Sequence, residues 1–92
     1  MKLKPGFIVR KIAGVTIVLS SGDNGNLNQM ITLNETGLFI WRLLECETTP
    51  EAIAQALIKE YSISQELADS TVSDFLDKLR HYDFITEQQE II

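Results

Sequence analysis

The sequence has one cysteine, one histidine and two prolines in 92 residues. A lone Cys46 makes no internal disulfide, and that suits a reducing compartment. The longest apolar run covers only residues 38–41, far below the roughly 20 residues a membrane-spanning helix needs. Lys2 and Lys4 open the chain, but no apolar stretch follows them, so no signal peptide is expected. These absences point to a cytoplasmic protein without a membrane partner. At this length the chain is expected to form one domain, residues 1–92, with a single modest core. The hydrophobic fraction of 45% and charged fraction of 23% are those of a folded chain.

A catalytic set is also missing. His81 would have to serve any Ser-His or Cys-His pair alone, and Arg80, Tyr82 and Asp83 around it mark a helix end where a basic side chain meets the carbonyl dipole. Cys46 and His81 together fall short of the three or four ligands of a zinc site. Glu45 and Glu47 flank the cysteine and would hold its thiol protonated. Gly22-Asp23-Asn24-Gly25 lacks the Gly-Lys-Ser/Thr ending of a phosphate loop and the carboxylates of a calcium loop. Glu66, Asp69, Asp74 and Asp77 read as the solvated face of a helix. The expectation is a non-catalytic protein with no cofactor and no metal.

Charge is divided unevenly. Residues 1–42 hold Lys2, Lys4, Arg10, Lys11 and Arg42 against Asp23 and Glu35, while residues 43–92 hold eleven acids against Lys59, Lys78 and Arg80. A reader of duplex DNA concentrates cations on the element that meets phosphate. Here the longest helical segment is acidic, so a winged-helix transcription regulator stands as the alternative reading and nucleic acid is not the expected partner.

The hydrophobic pattern changes period near the middle. Residues 7–12 and 15–20 read as strands around a tight Ala13-Gly14 turn. Residues 21–26 are turn formers, and residues 28–33 make a third strand. Asn34 then caps a helix in which Leu38, Phe39, Ile40, Trp41, Leu43 and Leu44 lie nearly all round, with its end at residues 46–48. Thr49-Pro50-Glu51 opens a second helix to Tyr61. Ser62-Ile63-Ser64 interrupts, and Ser64 caps a third helix reaching about Tyr82, with Ala68, Val72, Phe75 and Leu79 as its core stripe. Phe84-Ile85 packs back as a short extension, and residues 87–92 look frayed. The order βββααα, with strands and helices segregated, predicts an α+β domain.

From Met30 through Leu33, Asn34-Glu35-Thr36-Gly37 and Leu38-Phe39-Ile40-Trp41, the sequence resembles the coenzyme PQQ synthesis protein D (PqqD) family. Thr48-Thr49-Pro50-Glu51-Ala52-Ile53 and Phe75-Leu76-Asp77-Lys78-Leu79 match its later segments, and the resemblance covers roughly residues 2–86. It implies a winged helix-turn-helix-like fold, a three-stranded antiparallel sheet followed by three helices. It also implies a recognition element that binds the leader of a ribosomally made precursor peptide and presents it to a modifying enzyme, such as a radical-SAM protein. The leader would add as a strand to residues 28–33 and lie beside the third helix. The candidate contacts are Gln29, Met30, Ile31, Thr32 and Leu33 on the strand, with Asp69, Ser73, Leu76 and Arg80 on the helix flank. Met30, Ile31 and Leu76 read equally well as core. A monomer or weak dimer is expected.

Overall fold

A computed structural model describes residues 1–20 and 30–86. The expected loop at 21–26, the strand positions Asn28 and Gln29, and the tail at 87–92 lie outside the described residues.

Strands β1 (Lys2–Leu3), β2 (Phe7–Ile12), β3 (Val15–Ser20) and β4 (Met30–Leu33) come first, followed by helices α1 (Glu35–Leu43), α2 (Pro50–Tyr61) and α3 (Gln65–His81), then β5 (Ile85–Thr86). The main sheet is antiparallel in the order β2-β3-β4. Ala13 and Gly14 both take positive φ, 53° and 82°, the twist that lets two residues join right-twisted strands. Alanine is poorly suited to that conformation, which costs a residue with a Cβ about 1–2 kcal/mol. Ala13→Asn is therefore expected to raise stability by about 0.5–1 kcal/mol, read as a higher urea midpoint at unchanged slope.

Alternation sorts the sheet into two faces. Val9, Val18 and Ile31 lie in one cross-strand row, with Phe7 and Leu33 on the same face, and this face meets the helices. Ile8, Leu19 and Met30 form a row on the other face, where Ile8, Ile12, Val15 and Met30 are exposed. The helices begin as their caps dictate. The side chains of Asn34, Thr49 and Ser64 accept from the backbone N–H of Gly37, Ala52 and Leu67, which satisfies donors the first helical turn leaves over. Ser62 stops α2 by turning left-handed at φ 55°, so α2 and α3 make a helix–turn–helix with the β2–β3 hairpin as its wing.

Trp41 is the hub of the core. The Phe7 ring meets it edge-on at 5.9 Å, and Phe84 meets it edge-on at 6.2 Å. Ile40, Leu44, Ile53, Leu57 and Leu79 complete the buried centre.

The expected βββααα order lacked two short strands, β1 and β5. After α3, Asp83 turns left-handed (φ 63°), the Asp83 N–H donates to the Arg80 carbonyl and the Phe84 N–H donates to the Leu79 carbonyl. This crossed pair of bonds ends the helix and reverses the chain. Ile85–Thr86 then pairs with Lys2–Leu3 in a second, two-stranded sheet. Strands so short carry no alternation to read, and their partners sit at opposite ends of the sequence.

Candidate functional site

β4 is an edge strand, paired among the described residues with β3 alone. Alternate residues of such a strand turn N–H and C=O groups outward, ready for another strand. Its four side chains divide by face. Met30 is 54% exposed and Thr32 is exposed, whereas Ile31 at 4% and Leu33 at 6% are core residues. Any partner of Ile31 and Leu33 along this edge therefore meets their backbone. Gln29 lies outside the described residues.

The helix candidates fall on a different side from β4. Asp69, Ser73, Leu76 and Arg80 line a hollow of about 240 Å³ closed by Pro50, Glu51 and Val72, at the start of α2. Arg80 is held by Asp77 at 3.1 Å. A second hollow, of about 300 Å³, opens just past the end of β4 and shares no residue with the first. Its walls are Asn34, Thr36, Gly37 and Ile40 from the start of α1, and Thr71, Asp74, Phe75 and Lys78 from α3. At 100° per residue the two α3 sets lie on opposite flanks, about 170° apart, with the buried stripe between them.

Packing settles two α3 residues. Leu76, for which flank contact and core stood equal, is core at 2% exposure, and Phe75, expected in the core stripe, is only half-buried. Both lie at margins of one broad apolar stripe, and helical spacing alone ranks them equally. Tertiary packing decides: α2 covers the Leu76 margin, while the Phe75 margin meets the chain as it leaves β4.

That meeting is tight. A Cβ built on Gly37 would stand 3.1 Å from the Asn34 Oδ1, 3.2 Å from the Phe75 Cε1 and 3.5 Å from the Leu33 Cδ2. The same Asn34 Oδ1 accepts from the Gly37 N–H at 2.7 Å. The glycine in Asn34-Glu35-Thr36-Gly37 thus makes room for both the cap and the ring. Gly37→Ala is expected to displace the Phe75 ring, lower stability by about 1–2 kcal/mol and reshape this hollow. Melting and the Phe75 ring NMR signals would report it. Thr71, Asp74, Phe75, Lys78 and Gly37 were not among the sequence candidates; the glycine in the cap motif was the available signal.

No group of three or more His, Cys, Asp or Glu among the described residues could hold a metal ion, and Cys46 is an exposed free thiol. No described buried side-chain nitrogen or oxygen lacks a hydrogen-bond partner. Tyr61, edge-on to Phe39 at 5.6 Å, has its hydroxyl pKa raised by desolvation, with Glu35 and Glu60 adding to the effect; it lines neither hollow.

An open sheet edge and, past its end, a small slot between α1 and α3 define a winged-helix-like binding domain. The sequence matches the family model of coenzyme PQQ synthesis protein D (PqqD) over residues 16–85, and the chain belongs to that family. Among solved structures it is similar to one described as TbiB1 in complex with the TbiA(beta) leader peptide. The identity is 26% and the TM-score 0.75, with 98% of this chain and 100% of that chain covered. It also shares the fold of lasso peptide synthetase B1 complexed with its leader peptide, at 20% identity and TM-score 0.72, over 94% of this chain and 96% of that one. No curated protein matches the sequence.

Proposed function

We propose that residues 1–92 act as one peptide-recognition domain, which binds the leader of a ribosomally synthesised precursor peptide and presents it to a modifying enzyme. The observation that carries this is the β4 edge, bonded on one side among the described residues and opening at its end onto the slot beside Phe75. Family membership and the TbiB1–leader complex, whose chain is 26% identical, support it. The leader adds as a strand along Met30–Leu33, with its inward side chains reaching the wall of Thr71, Asp74, Phe75 and Lys78. Each backbone hydrogen bond contributes about 0.5–1.5 kcal/mol net, so a few bonds and one apolar anchor reach micromolar affinity. The domain performs no chemistry itself. Its partner is a maturation enzyme, for example a radical-SAM protein, and it works in the cytoplasm as a monomer or weak dimer. No described helix is long and apolar enough to cross a membrane.

The charge of α3 disfavours the DNA-binding alternative. Its exposed residues include Glu66, Asp69, Asp74 and Asp77, which repel phosphate where a recognition helix would need cations. Amide NMR during titration with a synthetic leader peptide tests the proposal. Shifts gathered at residues 30–33 and 71–78 are expected. Saturable binding to duplex DNA with no peptide response would overturn it.

A further inference from the structure

The main sheet has a second edge. Among the described residues β2 pairs only with β3, so alternate residues of Phe7–Ile12 also turn backbone groups outward. Beside this edge lies a hollow of about 780 Å³, within the size range of binding pockets. Phe7, Val9 and Trp41 give it an apolar lining, and Lys2, Lys4 and Arg42 add three cations. Glu45 and Glu47 line it too, with Glu47 paired to the amino group of Met1. Lys4 is tied to Asp83 at 2.7 Å. Lys2 and Arg42, and Arg10 on β2 itself, have no carboxylate within ion-pair distance among the described residues. Unpaired positive charge is thus gathered around a strand edge with an apolar slot.

We propose that the β2 edge and this hollow form a second docking site, which takes an extended, acidic segment of the modifying enzyme. The proposal rests on the leader-binding reading only in naming that enzyme as the owner of the segment. On the face of an added strand that looks into the hollow, carboxylates would meet Lys2 and Arg42, with an apolar residue between them over Phe7 and Val9; on its other face a carboxylate would meet Arg10. A second copy of this chain suits the edge poorly, because pairing β2 with β2 would bring these cations against their own copies. β3 separates the two edges by about 10 Å of sheet, so cargo and enzyme can be held at once. The domain then joins them through one continuous sheet.

The test uses the full chain, labelled for amide NMR, and a peptide of about ten residues repeating Glu-Glu-Val-Val, which sets acidic and apolar side chains in turn on both strand faces, with its Lys-Lys-Val-Val counterpart as control. The acidic peptide should shift residues 2–9, the Trp41 indole and Arg42, and should bind at least about tenfold more weakly on raising salt from about 50 to 500 mM. Lys2→Glu with Arg42→Glu, both at exposed positions, should abolish those shifts and leave leader affinity unchanged. The same double variant should lose at least about tenfold in calorimetric affinity for the partner modifying enzyme. Absence of shifts, equal shifts from the lysine peptide, or unchanged enzyme affinity would each overturn the proposal and reduce the cations to guards against edge-to-edge aggregation. A leader that leaves β4 unmoved while the acidic peptide shifts β2 would instead sink the leader-binding reading alone.

Discussion

Phe75→Ala is expected to weaken leader binding roughly ten- to a hundredfold, the loss typical of an aromatic anchor at an interface centre. The ring is half-buried, stands against Gly37 and forms part of the wall beside the end of β4. Removing it widens the slot and takes away the apolar surface that an inward side chain of the leader would cover. Some stability goes with it, about 1–2 kcal/mol given partial burial, so circular dichroism must accompany the calorimetry. The informative control lies on the opposite flank. Ser73→Ala and Asp69→Asn, at the hollow at the start of α2, where Asp69 accepts a hydrogen bond from Gln65, should leave affinity within about twofold, since a group outside the interface contributes little. The reverse pattern, with Ser73 sensitive and Phe75 silent, would place the leader on the other side of α3.

Trp41→Ala should be the most destabilising single change, costing about 3–5 kcal/mol. A chain of this length has about 5–14 kcal/mol in total, so the variant stands near the edge of folding. The indole is 2% exposed and meets Phe7 from the sheet and Phe84 from the chain reversal after α3, both edge-on. Its loss therefore loosens the sheet, α1 and the C-terminal reversal together. Urea unfolding should show a midpoint lower by about 1–3 M. Ile12→Ser, at an exposed position on the outer sheet face, should move it by less than about 0.5 kcal/mol. A loss below about 1.5 kcal/mol for the tryptophan would mean that the core closes over the gap.

What could be read from the residues was what neighbours in sequence decide. Ala13-Gly14 announced the hairpin, and Asn34, Thr49 and Ser64 announced three helix starts, because turns and caps are settled by a few adjacent side chains and backbone groups. The third strand was legible from its own apolar pattern, whereas its place at an open edge was implied only by the family resemblance. Which flank of α3 stands near it was not legible. Phe75 and Leu76 are equivalent in a helical projection, and only the packing of α2 on one margin and of Gly37 on the other separates them. The pairing of Lys2–Leu3 with Ile85–Thr86 was hidden for a related reason, since it joins short segments at opposite ends of the sequence.

The junction at Asn34 has a consequence for distance. β4 ends at Leu33 and α1 begins at Glu35, so no loop separates strand from helix. Asn34 is fixed by its own cap bond to Gly37, and Val18, Leu19 and their neighbours fix the strand's register from the other side. Such a strand cannot slip, because a one-residue shift would turn Ile31 and Leu33 out of the core. Its open side therefore offers backbone groups at fixed places, spaced about 3.3 Å per residue. If the proposed leader pairs here, the strand would serve it as a ruler, with positions along the precursor counted from a mark that does not move.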